Sequence, residues 1–120
     1  MSREIRFRAW NGRFMEHGGF YVHATGEIQK ESALGDVSSG CHLMQYTGLK
    51  DKDGVEIYEG DIIKAPGEYP AEIGFKFGTF ILRHISHKGM NGTSISDVAT
   101  DRYEVIGNIY SNPELLGGEK

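Results

Sequence analysis

The chain has 120 residues, of which 38% are hydrophobic and 25% are charged, and this size and composition predict one soluble domain over residues 1–120. Its longest apolar run is far shorter than the roughly 20 residues of a membrane-spanning helix, and the start Met1-Ser2-Arg3-Glu4 lacks the apolar stretch of a secretion signal. Because of these two absences we expect no membrane contact. A single cysteine, Cys41, excludes an internal disulfide, which fits a reducing compartment, and we therefore expect a cytoplasmic location.

The N-terminal segment predicts a strand followed by a tight turn. Residues 4–9 alternate polar and apolar side chains, which places Phe7 on one face of a strand and Arg6 and Arg8 on the other. Asn11-Gly12 then predicts a two-residue hairpin turn, because both residue types tolerate a positive φ. Residues 1–13 hold four arginines and one glutamate, whereas the whole chain has a net charge of −4. The first strand would therefore form a basic edge, which either steers an anionic partner or discourages further strand pairing.

The centre of the chain predicts short strands separated by polar turns. The segments with strand-like composition are 20–23, 43–47 and 55–58. A loop is expected over 29–40 and a charged turn over 50–54. The corner at Gly60 leads into Ile62-Ile63, where two adjacent β-branched residues predict a strand that is covered on both faces.

The C-terminal half continues this pattern and ends in a helical turn. Strands are predicted over 72–77 and 79–83 around a bulge or tight hairpin at Gly78, and a polar loop over 89–97 precedes a strand over 103–110. Asn112-Pro113-Glu114 offers an N-cap residue, a proline at the first helical position and an acid in the first turn. The sequence therefore predicts a mainly β fold, a small barrel or sandwich of short antiparallel strands with SH3-like barrel elements and one short C-terminal helical turn.

No set of residues has the spacing of a known catalytic, cofactor or metal site. His84 and His87 would point to opposite faces of a strand, and no cysteine pair completes a zinc site. A calcium loop starting at Asp51 needs a glutamate at its twelfth position, which is Ile62. One class of nuclease needs an acid two residues before a lysine, and no lysine of the chain has an acid there. No phosphate-binding loop or nucleophile turn is present either. We therefore predict a protein that is not an enzyme, with no catalytic residue, cofactor or metal.

One group of residues indicates a contact surface. Arg6 and Arg8 precede Trp10 on the first strand, and Tyr46 is expected nearby. Arginine beside aromatic rings stacks on single-stranded bases and is also enriched in protein interfaces. Arg6, Arg8, Trp10 and Tyr46 are therefore candidate contacts for nucleic acid or for a protein partner. The alternative is that Trp10 anchors the core and the arginines are solvated charges.

Three segments of the chain resemble the YopX family. They are Arg3–Trp10, Leu43–Lys64 with its Gln45-Tyr46-Thr47-Gly48-Leu49 and Tyr58-Glu59-Gly60-Asp61 motifs, and Val105–Leu116 with its Val105-Ile106-Gly107-Asn108 motif. The resemblance implies a mainly β protein encoded by a phage or prophage, so the cytoplasm expected above would be that of a bacterial host. It implies no activity, cofactor or catalytic residue at any position.

Two hypotheses for the function follow. The first is a non-enzymatic accessory protein that acts through protein contacts, as a homo-oligomer or with a phage or host protein partner. The second is a nucleic-acid-binding SH3-like β-barrel protein, based on the basic first strand. A small hydrolase is a third alternative, which would require convergent acids in a pocket.

Overall fold

The computed structural model describes residues 5–17, 20–22, 28–30, 42–76, 78–84, 93–95 and 99–117. The secondary structure of these residues is almost entirely β. The strands are β1 (Phe7–Trp10), β2 (Met15–Glu16), β3 (Phe20–Val22), β4 (Ile28–Lys30), β5 (His42–Lys50), β6 (Glu56–Tyr58), β7 (Asp61–Lys64), β8 (Ala71–Lys76), β9 (Thr79–His84), β10 (Thr93–Ser94) and β11 (Glu104–Asn108). Short 3-10 turns form at Thr100–Arg102 and Pro113–Gly117. The described residues include no helix with the length and apolar character needed to cross a membrane.

The chain divides into two compact units. One unit is Arg6–Gln45, and the other combines Met1–Ile5 with Tyr46–Lys120. The division falls within β5, which begins in the first unit and ends in the second. The prediction of a single domain over residues 1–120 is not tested by this division and stays a prediction.

In the Arg6–Gln45 unit, β1 pairs in antiparallel register with β2 on one side and with the first part of β5 on the other. A hairpin joins β1 to β2 as predicted, but its loop has four residues instead of two, because Trp10 pairs with Met15. The Asn11 side chain explains the longer loop, since its Oδ1 accepts the backbone N–H groups of Arg13 at 2.8 Å and Phe14 at 3.0 Å.

The same unit contains a second antiparallel pair, formed by β3 and β4. Strand β3 matches the strand predicted over 20–23. Strand β4 was not predicted, and its residues Gln29 and Lys30 fall in the segment expected to be a loop. The rest of that segment, residues 31–40, lies outside the described residues.

The Tyr46–Lys120 part of the chain forms a five-stranded antiparallel sheet in the order β10-β9-β8-β7-β11. Strand β7 lies between β8 and β11, and both of its isoleucines, Ile62 and Ile63, are fully buried. The prediction of a strand covered on both faces is therefore confirmed. Strands β8 and β9 form a tight hairpin in which Lys76 pairs with Thr79 and Gly78 has a φ of 76°. Of the two alternatives at Gly78, the hairpin is the correct one.

One face of this sheet carries the hydrophobic core of the unit. Alternate residues of β7, β8 and β9 point to this face, as the period of a strand requires. The buried members of the core are Ile57, Ile63, Ala65, Ala71, Ile73, Phe80, Leu82, Ile95 and Tyr103. The apolar face of β8 continues beyond the core to Phe75, which is 50% exposed. The polar segment predicted over 89–97 contains the short strand β10 and the buried Ile95, while its other residues lie outside the described ranges.

The last strand and the C-terminal helical turn form as predicted. A register shift between Val105 and Gly107 places a bulge in β11. At Gly107 a Cβ atom would lie 2.5 Å from Asn112 Oδ1 and 2.9 Å from Leu115 Cδ1. Only glycine therefore lets the C-terminal turn pack this closely on β11. The predicted mainly β fold of short antiparallel strands with a short C-terminal helical turn is confirmed.

Candidate interaction surface

The basic first strand is largely covered. Arg8 and Trp10 share one face of β1, as the period of the strand predicts, but Arg8 is only 7% exposed and Trp10 is half-buried. The Arg8 guanidinium contacts the sulfur of the buried Met44, which is its cross-strand partner on β5, at 3.7 Å. Arg6 is half-buried. The burial of Arg8 means that the face of β1 opposite Phe7 is not an open basic surface.

Tyr46 is buried as well. It is 4% exposed and pairs across the strands with Tyr58, at 5.4 Å between ring centroids. Tyr46 belongs to the unit that includes Tyr46–Lys120, whereas Arg6, Arg8 and Trp10 belong to the Arg6–Gln45 unit. The interpretation of Arg6, Arg8, Trp10 and Tyr46 as partner or nucleic-acid contacts stays a prediction, and two of the four lie beneath the surface.

A hydroxyl group holds the irregular part of β5. Between the Tyr46–Tyr58 and Lys50–Glu56 pairs, β5 has two more residues than β6. The Thr47 hydroxyl donates to the Ile57 carbonyl at 2.7 Å and accepts the Leu49 N–H at 3.2 Å, while Gly48 takes a φ of 87°. The Thr-Gly motif of this strand is therefore explained by the bulge that it closes.

The charged turn after β5 is organised by Asp51, which is 6% exposed. Its Oδ1 accepts the backbone N–H groups of Asp53 at 2.8 Å and Val55 at 2.9 Å, and its Oδ2 accepts that of Val105 at 2.9 Å. Although burial alone would raise it, these backbone donors hold the pKa of Asp51 below its ordinary value of 3.8. A carboxylate with both oxygens engaged in this way fixes the turn to β11.

The same turn covers the outer edge of β11. The Lys52 N–H donates to the Tyr103 carbonyl at 2.9 Å, next to the bond from Val105 to Asp51. At the other end of the strand, the Asn108 N–H donates to Asn112 Oδ1 at 3.3 Å. Side chains and a turn thus occupy edge positions at which another strand could add.

A small cleft lies beside this turn. It has a volume of about 140 Å³ and is lined by Ala65, Pro66 and Ile106 and by three charged residues, Lys52, Lys64 and Glu104. Small-molecule pockets usually measure about 300–1,000 Å³. Lys64 lies opposite Glu104 in the β7–β11 register, yet it makes no ion pair with any residue of the described ranges. The cleft is therefore smaller than a typical small-molecule pocket, and its border carries two lysines and a glutamate, of which Lys52 is paired with Asp53 at 3.1 Å.

An exposed valine stands on the same turn. Val55 is 48% exposed, although its N–H and carbonyl are both bound to Asp51. It is one of six large apolar side chains in the described residues that are between 37% and 67% exposed. The six are Ile5, Phe7, Phe14, Val55, Tyr69 and Phe75. Val55 differs from the other five because acids, Asp53 and Glu56, flank it on both sides and no basic residue lies within two positions.

A polar cluster around Glu68 joins three segments of the larger unit. Its carboxylate accepts hydrogen bonds from the Tyr103 hydroxyl at 3.0 Å and from Arg102, and His84 Nε2 lies 3.8 Å away. His84 Nδ1 is 3.2 Å from the Tyr69 carbonyl. Burial and then the bond to Glu68 raise the pKa of Tyr103 above its ordinary value. The cluster ties the segment after β7 to the end of β9 and to the 3-10 turn at Thr100–Arg102.

Of the two motifs considered for metal binding, the one at Asp51 lies wholly within the described residues. No group of three or more His, Cys, Asp or Glu residues among them is placed to hold a metal ion. His84 is engaged with Glu68 and Tyr69, and His87 lies outside the described residues. The Asp51 carboxylate is directed at backbone N–H groups. The sequence could have indicated this role, since Asp-x-Asp-Gly favours a turn in which the first carboxylate accepts from the following backbone.

The chain is similar to known proteins over nearly its whole length. A family model described as YopX protein matches residues 6–117. Among solved structures, the crystal structure of protein EF1440 from Enterococcus faecalis is similar with a TM-score of 0.63 and 30% sequence identity, over 96% of this chain and 99% of that chain. No curated protein matches the sequence.

Proposed function

This chain belongs to the YopX family, and we propose that it is a non-enzymatic accessory protein of phage or prophage origin that acts through protein contacts, first of all with a second copy of itself. The observation that carries the proposal is the composition of its exposed apolar surface. Four of the six exposed large apolar side chains in the described ranges are aromatic, namely Phe7, Phe14, Tyr69 and Phe75. Aromatic side chains are enriched in protein interfaces because they contribute a large contact area at a low cost in conformational entropy.

The polar groups of the larger unit support the same proposal. Asp51, Asp61 and Glu68 each accept hydrogen bonds from groups of their own fold. Asp61, for example, is 2% exposed and accepts the Tyr58 N–H at 2.7 Å. These carboxylates hold turns and strand ends in place, which leaves the exposed apolar side chains as the groups available to a partner.

Light scattering coupled to size-exclusion chromatography tests this function. We expect a mass above that of the 13.3 kDa monomer at tens of micromolar, falling on dilution. A strict monomer at that concentration would contradict self-association. A pull-down from prophage-induced cells then identifies any phage or host protein partner. Repeating the pull-down with Phe14→Ser and with Phe75→Ser shows whether the exposed rings are used.

Nucleic-acid binding is the alternative, and it depends on Arg6, Arg8 and Trp10. The burial of Arg8 gives it less support than protein contact has. If it is right, single-stranded DNA or RNA is retained in a salt-dependent way and the retention is lost when Arg6→Ala is combined with Arg8→Ala. Arg13→Ala is the matched control, because Arg13 is an exposed arginine of the adjoining loop.

A further inference from the structure

We propose that Asn11 is a site of spontaneous deamidation in the folded protein, and that its two products have opposite effects on the β1–β2 hairpin. In this reaction the Gly12 nitrogen attacks the side-chain carbonyl carbon of Asn11 and closes a succinimide ring. The side-chain NH₂ group leaves with the Gly12 N–H proton as ammonia. Water then opens the ring at one of its two carbonyl groups, which gives aspartate or isoaspartate, so the reaction needs no co-reactant except water.

The residue that follows Asn11 is the first reason for this assignment. Gly12 has no side chain to crowd its nitrogen, and a Cβ atom added there would meet no atom within 4 Å other than its chain neighbours. The described residues contain two more asparagines, Asn108 and Asn112. They are followed by a β-branched isoleucine and by a proline, which has no N–H. Asn11 therefore has the least hindered attacking nitrogen of the three.

The position of the Asn11 carboxamide is the second reason. Its Oδ1 accepts the backbone N–H groups of Arg13 at 2.8 Å and Phe14 at 3.0 Å, so the side chain is turned along the loop toward the backbone that follows it. The attack places negative charge on this same oxygen. Backbone N–H groups directed at a developing oxyanion lower the barrier of such a step. The two hydrogen bonds that shape the loop therefore also activate the carbonyl carbon.

The third reason is the exposure of the loop. Gly12, Arg13 and Phe14 are all exposed, so water and the base that removes the Gly12 proton can reach the reacting atoms. Exposed loops also open locally at a small cost in free energy, which lets the Asn11 backbone reach the angle that ring closure requires. The fold therefore leaves the Asn11-Gly12 pair reactive.

The two products differ in what they keep of the loop. Aspartate at position 11 retains a side-chain oxygen, and a carboxylate accepts backbone N–H groups more strongly than an amide does. In isoaspartate the main chain runs through the former side-chain carbonyl, so the acceptor of Arg13 and Phe14 becomes part of a lengthened backbone. Both products add one negative charge to the basic segment 1–13 and change the net charge from −4 to −5.

Peptide mapping of aged protein tests the reaction. Trypsin cleaves after arginine, so it releases Ala9–Arg13, which contains the single tryptophan of the chain and is identified by its absorbance. Native protein and protein unfolded in urea are held at the same mildly alkaline pH, and the loss of the Asn11 amide is followed by mass spectrometry. We expect the native rate to be equal to the unfolded rate, higher, or at most about threefold lower. A larger decrease overturns the proposal. The peptide Tyr103–Lys120, which contains Asn108 and Asn112, is the internal control and should keep its amides.

Tryptic cleavage of the native loop tests the effect of the two products. Asn11→Asp is the matched variant, because it has the aspartate product from the start, and fresh Asn11→Asp should be cut after Arg13 as slowly as the fresh wild type. Aged wild type should show a faster phase whose amplitude equals its isoaspartate fraction, as measured with an isoaspartate methyltransferase.

An aged sample without this phase, or Asn11→Asp that is cut as fast as the isoaspartate form, overturns the role assigned to the Asn11 oxygen. Circular dichroism confirms that Asn11→Asp is folded. The comparison of native and unfolded rates uses the wild type alone, so it tests the reaction even if the variant does not fold.

Discussion

Replacing Asp51 tests whether one carboxylate holds the turn to the last strand. Asp51→Asn keeps one side-chain oxygen for the N–H groups of Asp53 and Val55, but it places an NH₂ group against the N–H of Val105. Hydrogen bonds to a charged group contribute about 1.5–3 kcal/mol each, and a half-buried donor left without an acceptor costs a similar amount. We expect Asp51→Asn to lower the free energy of unfolding by about 2–3 kcal/mol.

Asp51→Ala should lower the free energy of unfolding further, by about 3–4 kcal/mol in total, because the N–H groups of Asp53 and Val55 also lose their acceptor. The additional loss is small because water can replace that acceptor at the turn. The assay is urea unfolding at pH 7 followed by circular dichroism. Asp53→Asn is the matched control, since it removes the same charge from the same turn at an exposed position and should change stability by about 0.5 kcal/mol or less. An Asp51→Asn protein as stable as that control would refute the assigned role.

The pKa of Asp51 makes this effect depend on pH in a defined direction. A carboxyl group whose pKa is lower in the folded than in the unfolded chain stabilises the fold above its unfolded value, here 3.8, and loses this contribution as the pH falls through the folded pKa. The stability difference between wild type and Asp51→Asn should therefore be constant from about pH 7 to pH 5 and shrink below pH 3.8. A difference that grows on acidification would contradict the lowered pKa.

Three further substitutions test other contacts by urea unfolding. Gly107→Ala should lower the free energy of unfolding by about 1–3 kcal/mol, because the added Cβ has no space against the C-terminal turn, and an unchanged midpoint would argue against that packing. Thr47→Val should cost about 1–2 kcal/mol through the lost bond to the Ile57 carbonyl, and Thr47→Ser, which keeps the hydroxyl, should cost less. Tyr103→Phe should cost about 1 kcal/mol. It should also remove one of the phenols that ionise above the ordinary pKa of tyrosine in an alkaline absorbance titration, since burial and Glu68 raise the pKa of Tyr103; an unchanged number of such phenols would contradict the raised pKa.

The strands were predictable from the sequence where one local signal decides the structure. Ile62-Ile63 predicted a doubly covered strand because two adjacent β-branched residues must point to opposite faces. Gly78 predicted either a bulge or a tight hairpin, and its positive φ belongs to the hairpin. The loop after β1 was predicted to have two residues and has four. The turn propensity of Asn11-Gly12 gave the shorter loop, because it takes no account of the N–H groups of Arg13 and Phe14, which donate to the Asn11 side chain.

Features that depend on distant segments could not be read from the sequence. The alternation in β1 assigned Arg8 to the polar face, and the period of a strand contains no information about what covers that face; Arg8 is buried. The turn motif at Asp51 was visible, but its partner Val105 is 54 positions away, and the lining of the small cleft likewise comes from three separate segments. The candidate surface therefore required coordinates, whereas the fold class did not.

The position of β11 beside β7 has a consequence for how the protein forms during translation. Strand β7 ends at Lys64, whereas its neighbour β11 runs to Asn108. A nascent chain must therefore emerge from the ribosome to at least residue 108 before β7 acquires its second neighbour. Until then the backbone of the Ile62-Ile63 segment is open on that side to premature pairing with other growing chains, a hazard that ends only when the distal strand arrives.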